Sequence, residues 1–138
     1  MKLSPQNLKA LIDEMEFVIT KIKSSANYHE QLFYFSAIFG VISRIFNQEF
    51  NHELVHIHLI LRTTYDSFLQ RLKAAEKGEK SVLLSEEQFK MLLSLVIELK
   101  NKIKHDDPFY DILENFAVLA FSTTGNGYYL YQKGLLKI

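Results

Sequence analysis

The chain has 138 residues, which is the usual size of one domain and is enough to bury a hydrophobic core without a metal or a disulfide. It contains no cysteine, which excludes disulfides, thiolate zinc sites and thiol catalysis and is compatible with a reducing compartment. Its 16 basic and 16 acidic residues balance, so no overall field attracts nucleic acid or an anionic membrane.

The first predicted helix begins at Ser4-Pro5, a capping residue followed by proline at the first helical position, and ends near "KSSAN", residues 23–27. The amino-terminal stretch lacks the basic region, the continuous apolar run and the small-residue cleavage site of a secretory signal, so we predict a cytoplasmic protein. Apolar residues recur along the helix at three- and four-residue spacing: Leu8, Leu11, Ile12, Met15, Val18, Ile19 and Ile22.

A second helix is predicted from a capping box, Asn27 with Glu30, to about Phe46. Its sequence "LFYFSAIFGVISRIF" is apolar nearly all round, which predicts a central position in the bundle, but it falls short of the roughly twenty residues that span a bilayer. Small residues form a stripe at Ser36, Gly40 and Ser43, and we favour close helix packing there over room for a bound apolar ligand.

The third predicted helix runs to about Lys77 and ends at Gly78. Its inward side is predicted from residues that cluster at about 100° per residue: Phe50, Leu54, Ile57, Leu61, Phe68 and Leu72. The opposite side carries His52, Val55, His56 and Leu59. Because the helix is apolar on two faces, it is either central in the bundle, which we favour, or part of an oligomer interface.

The segment from His52 to His56 reads HELVH and resembles the HExxH pattern of zinc proteases. In that mechanism two imidazoles one helical turn apart bind Zn²⁺, and Glu53 acts as general base toward the metal-bound water. A third ligand from Glu98 or Glu114 requires the outer side of the helix to be covered, which nothing in the sequence demands. The resemblance covers five residues, and no activity is carried over from it.

A second metal interpretation uses the pairs Glu49/His52 and Glu53/His56, which are similar to the Glu-x-x-His pairs of ferritin-like bundles. Those bundles place the pairs on two helices, whereas here both lie on one. We therefore predict no cofactor, with zinc bound by His52, Glu53 and His56 as the alternative.

The fourth predicted helix begins at a Ser85 cap, with Leu84 placed to pack on Phe89, and "DDP" separates it from a fifth helix that begins at Asp107-Pro108. The inward residues of the fourth helix are Phe89, Leu92, Leu93, Val96, Ile97 and Ile103, and those of the fifth are Phe109, Ile112, Leu113, Phe116, Ala117 and Ala120.

Residues 122–138 have a different composition, and Asn126-Gly127 signals a turn. We expect a small hairpin or an irregular tail packed on the bundle in the same domain. Tyr128, Tyr129 and Tyr131 lie outside the helical pattern and are candidate contact residues. The segment resembles the wing of a winged-helix domain, but the preceding acidic helix, which lacks lysine and arginine, argues against nucleic-acid binding.

The sequence therefore predicts an all-α, single-domain bundle of four to five helices over residues 1–121, followed by a tyrosine-rich tail. No motif supports catalysis. We expect a non-catalytic protein that acts through contacts with a protein partner or with itself as a homo-oligomer, without membrane or nucleic acid. The alternative is a metal-binding bundle or a zinc-dependent hydrolase that uses the HELVH segment. The predicted contact residues are His52, Val55, His56 and Leu59 of the third helix and the three tail tyrosines.

Overall fold

Every regular element that the structure describes is an α-helix, which confirms the all-α prediction. The structure is a computed structural model and describes residues 1–78 and 86–122. No helix within those two ranges is long and apolar enough to cross a membrane. The predicted Ser85 cap and the predicted hairpin both lie outside the described residues. The helices are α1 (Pro5–Ser24), α2 (Tyr28–Phe46), α3 (His52–Glu76), α4 (Glu86–Lys104) and α5 (Tyr110–Ser122).

Side-chain caps begin the first three helices. Ser4, Asn27 and Asn51 each accept a hydrogen bond from the backbone N–H three residues later, at 3.3, 2.9 and 2.9 Å respectively. The carboxylate of Glu30 reaches back to accept from the backbone N–H of Ala26 at 3.1 Å. The predicted cap at Asn27 is therefore confirmed. The Glu30 side chain binds the amide of Ala26, the residue before the cap, whereas a standard capping box uses the amide of the cap residue itself.

A residue with a positive φ follows the end of both α3 and α4, and it is a glycine in the first case and an aspartate in the second. Gly78 follows α3 with a φ of +82°, as predicted, whereas Asp106 follows α4 with a φ of +55°. The amides of Asp106 and Asp107 donate to carbonyls in the last turn of α4 at 3.2 and 2.9 Å. The helix α5 begins at Tyr110, two residues after the predicted Pro108.

The five helices pack in a closed ring in the order α1, α2, α3, α5, α4, so that α5 lies between α3 and α4. Short links make most neighbours antiparallel, but a ring with an odd number of helices must contain a parallel pair. That pair is α3 and α5. Thr64 of α3 donates to the carbonyl of Phe116 at 3.3 Å, and Ser67 donates to the carbonyl of Ala120 at 2.8 Å.

The interior of the ring is filled by the predicted apolar faces. Phe68 of α3 and Phe89 of α4 meet edge to face there, with ring centroids 5.1 Å apart. The predicted inward residues of α3 from Leu54 to Leu72 are all buried, which confirms the facing of that helix. Buried apolar residues of α4 and α5 that the predicted sets omit are Leu95, Leu99 and Leu119.

Phe50 and the central placement of two helices are corrected by the structure. Phe50 is 69% exposed, because α3 begins only after the Asn51 cap and its helical phase does not extend back to Phe50. Neither α2 nor α3 is surrounded by other helices, since Phe33 on α2 is 70% exposed and Leu59 on α3 is 57% exposed. Each of these helices instead forms one side of the ring.

The stripe of small residues on α2 does not have the predicted role. Gly40 and Ser43 are exposed, and a Cβ added at Gly40 meets no atom closer than the guanidinium of Arg44, at 3.4 Å. Close packing against another helix is therefore wrong for this stripe. The described cavities that border α2 are lined by other residues, such as Val41 and Gln31.

Candidate interaction surface

An apolar groove lies on the outside of the ring between the parallel helices α3 and α5. It has a volume of about 330 Å³ and is open to solvent. Its size falls at the lower end of the range for ligand and peptide sites in proteins. We call it the α3–α5 groove, and it is lined by His56, Leu59, Ile60, Tyr110, Leu113, Glu114 and Ala117.

A hydrogen bond between the two helices closes the amino-terminal end of the groove. Nδ1 of His56 lies 2.9 Å from the hydroxyl of Tyr110, and the two rings meet edge to face with centroids 5.8 Å apart. Which of the two atoms donates depends on the histidine tautomer. Both side chains are exposed, so this contact buries little of their surface.

The predicted contact residues of α3 are only partly brought together in the groove. His56 and Leu59 line it, whereas Val55 is half-buried on the side of α3 that faces away from it. His52 is exposed one turn earlier and packs edge-on against Phe50, at 4.9 Å between ring centroids. The prediction that His52 and His56 lie opposite the buried face of α3 is confirmed.

The α5 wall of the groove was not identified from the sequence. Tyr110 is 50% exposed and Glu114 is exposed, and one helical turn separates them. Leu113 and Ala117 were assigned to the core, but their edges also form the floor of the groove. A sequence signal existed, since Tyr110, Glu114 and Ala117 recur at helical spacing, but it did not indicate that α3 is the neighbour.

The described residues do not complete a zinc centre around the HELVH segment. A catalytic zinc takes three protein ligands, and within the described part of the chain no three histidine or carboxylate side chains are grouped to hold a metal. The two imidazoles lie on one exposed face of α3, where the described residues place no further ligand beside them. No chemistry through a metal is therefore derived from His52, Glu53 and His56.

The first Glu-x-x-His pair has a structural function instead. Oε1 of Glu49 accepts hydrogen bonds from the side-chain amide of Asn7 at 2.7 Å and from the backbone N–H of Ser4 at 3.0 Å. These bonds, the Asn7 bond first, lower the pKa of the Glu49 carboxyl below its usual value. Glu49 thus attaches the link between α2 and α3 to the amino terminus of α1.

The remaining predicted contact residues, Tyr128, Tyr129 and Tyr131, lie outside the described residues. The acidic character of α5 that argued against nucleic-acid binding is retained at its surface, where Asp111 and Glu114 are both exposed.

Compared with known proteins, the chain matches no family model, no curated protein and no solved structure.

Proposed function

We propose that this protein is non-catalytic and acts through protein–protein contacts, and that it associates with a second copy of itself over the α3–α5 groove. The observation that carries the proposal is Leu59, an aliphatic side chain that is 57% exposed at the rim of an apolar groove. A single exposed leucine needs no explanation, but one beside an apolar concavity is typical of a binding surface.

The polar groups of the groove support association with a protein surface. They lie at its edges, where His56 and Tyr110 bond to each other and Glu114 is exposed. A partner that covers the apolar floor therefore need not strip these groups of water, which avoids the cost of burying an unsatisfied polar atom.

Burial of Leu59 contributes favourably to the free energy of association. Covering an exposed leucine side chain contributes about 1–2 kcal/mol from the apolar area removed from water. In a symmetric dimer every contact occurs twice, so the contribution of Leu59 is doubled.

The cysteine-free sequence is compatible with a reducing compartment, and we include a cytoplasmic location in the proposal.

The experiment is a concentration series in sedimentation velocity for the parent, Leu59→Glu and Phe33→Glu. Both variants place one new carboxylate at an exposed apolar position on a helix, but Phe33 lies on α2, away from the groove. We expect the parent to self-associate, Leu59→Glu to become monomeric with unchanged helical circular dichroism, and Phe33→Glu to behave as the parent.

Three results would contradict the proposal. A parent that stays monomeric across the series has no self-association to explain. A Leu59→Glu variant that associates as the parent does places the contact elsewhere. Equal dissociation by both variants would indicate a general effect of added charge.

A further inference from the structure

The α5 wall of the groove leads directly to the point where residues 123–138 follow. Glu114 and Ala117 line the groove. Phe121, two helical turns after Glu114, lies on the same side of α5 and is 49% exposed. Since α5 ends at Ser122, the groove and the beginning of residues 123–138 are neighbours along one helix.

Residues 123–138 are long enough to return along the groove. Fully extended, they span about 50 Å. The α5 wall runs back from Ser122 to Tyr110, which is about 18 Å at the rise of an α-helix. Asn126-Gly127 signals a turn near the beginning of the segment, so residues 128–138 are available to cover the groove in the reverse direction.

Residues 128–138 complement the groove in apolar character and in charge. Seven of these eleven residues are tyrosine, leucine or isoleucine, and the charged side chains among them are Lys133 and Lys137. In the described part of the chain, Glu114 is the one carboxylate that lines the groove, and it has no ion-pair partner there. An apolar segment with two cations therefore fits an apolar groove with one anion at its edge.

The basic residues of α3 lie away from the carboxylate of Glu114. Arg62 faces α2 and pairs with Asp66 at 3.5 Å. Arg71 and Lys73 lie in the last two turns of α3, beyond the residues that line the groove. The lysines of residues 128–138 are thus the cations of the same chain whose position in the sequence allows them to reach Glu114.

From this reach, apolar character and charge we infer that residues 128–138 occupy the α3–α5 groove of their own chain, with their leucines against Leu59 and Leu113 and their lysines toward Glu114. The inference rests on the proposed function, because it makes these residues compete with a second copy for the same surface. Self-association then requires an open groove, and its apparent affinity falls with the fraction of grooves that are open.

Cross-linking in the full chain tests the contact, and the cysteine-free sequence makes it specific. A short bismaleimide is added to a chain that carries Gln132→Cys and Thr63→Cys. Thr63 is exposed and lies two turns after His56 on the same side of α3. We expect a cross-link within one chain, identified by the mass of the joined peptides and by the mobility of a denatured monomer.

The matched control combines Gln132→Cys with Thr20→Cys on α1, a helix that does not neighbour α5 in the ring. Thr20 is also exposed, and both threonine hydroxyls donate to the carbonyl four residues earlier, at 3.1 Å for Thr20 and 2.9 Å for Thr63. The pair with Thr63 should cross-link about tenfold more, because binding in the groove raises the local concentration there.

Charge reversal tests the proposed ion pairing. Lys133→Glu with Lys137→Glu should reduce the cross-link to Thr63 about fivefold, and Glu114→Lys in the same chain should restore it. Without the cysteines, the reversed chain should self-associate about fivefold more tightly than the parent in sedimentation velocity, since more grooves are open. A cross-link that ignores the lysines contradicts their pairing with Glu114.

The remaining outcomes separate this inference from the proposed function. Equal cross-linking to Thr63 and Thr20 overturns the inference, and a cross-link between two chains places the segment of a second copy in the groove and overturns it as well. Self-association that Leu59→Glu abolishes, without preference for Thr63, retains the proposed function alone. Cross-linking confined to Thr63 in a protein that is monomeric at every concentration retains the contact and overturns the proposed function.

Discussion

The outer face of α1 and α2 and the α3–α5 groove both expose large apolar side chains, but they differ in how those side chains are covered. On the outside of α1 and α2, Phe17 and Tyr34 meet edge to face at 6.3 Å between centroids. The ammonium of Lys21 lies 5.6 Å from the ring centre of Phe17 and 5.9 Å from that of Tyr34. These rings are therefore partnered within the chain by each other and by a cation.

The α3–α5 groove lacks such coverage. Leu59 projects beside a concave floor, and the nearby Arg62 lies over rings on the other side of α3. Exposed apolar area alone thus does not distinguish a binding surface from an ordinary one. The proposal of a binding surface rests instead on the concavity and on the carboxylate of Glu114, which has no ion-pair partner within the described ranges. Three pairs of substitutions can break or sharpen the comparison.

The largest effect is expected beneath the groove. Phe116 is fully buried, so Phe116→Ala should lower the free energy of unfolding by about 3–5 kcal/mol through lost burial and a residual cavity. Phe33→Ala on α2 should change it by less than about 0.5 kcal/mol, because that ring is 70% exposed. Denaturant unfolding at one low protein concentration measures both. A comparable loss for Phe33→Ala would mean that the outer face of α2 is covered.

A smaller effect of opposite sign is expected at Gly40. Alanine there should raise the free energy of unfolding by about 1 kcal/mol, since an exposed glycine inside a helix loses more backbone entropy than alanine and the added Cβ meets only the end of the Arg44 side chain. Gly78→Ala is the control, because its φ of +82° makes the same substitution destabilising. Thermal unfolding of both variants should shift in opposite directions. Destabilisation by Gly40→Ala would indicate a close neighbour on α2.

The smallest effect concerns His58, on the α2 side of α3. Its ring lies edge-on to Phe39 and Phe46, at 5.7 and 6.3 Å, and burial, followed by the charge of Arg62, lowers the pKa of His58 below its usual 6.5. The unfolded chain therefore binds this proton more readily than the folded protein. The free energy of unfolding should decrease as the pH falls from 6.5 toward the lower folded-state pKa.

Denaturant unfolding of the parent, His58→Phe and His105→Gln on both sides of that range isolates this contribution. His58→Phe should lose part of the dependence on pH, whereas His105→Gln changes an exposed histidine at the end of α4 and is the matched control. An identical slope for the parent and His58→Phe would remove His58 as the source.

Local features were predictable where neighbouring residues decide them. The Asn27 cap, the left-handed Gly78 and the inward stripe from Leu54 to Leu72 were all predicted, since caps and helical periodicity depend on residues a few positions apart. Phe50 was placed wrongly because a cap at Asn51 interrupts the phase.

Only the α3 wall of the candidate site was predictable from the sequence. The exposed histidine and leucine positions on α3 followed from periodicity, but the wall formed by Tyr110 and Glu114 did not. A groove between two helices requires knowledge of which helices are neighbours, and α3 and α5 are separated in the chain by the whole of α4.

The sequence by itself determined the helical class, the approximate bounds of the helices and the side of α3 that faces the core, because these depend on short-range spacing and capping. Only the tertiary structure decided the order of the ring, the parallel packing of α3 on α5 and therefore the groove. The contacts that set this arrangement join residues more than fifty positions apart, such as Thr64 with Phe116, and local spacing does not encode which distant faces pack together.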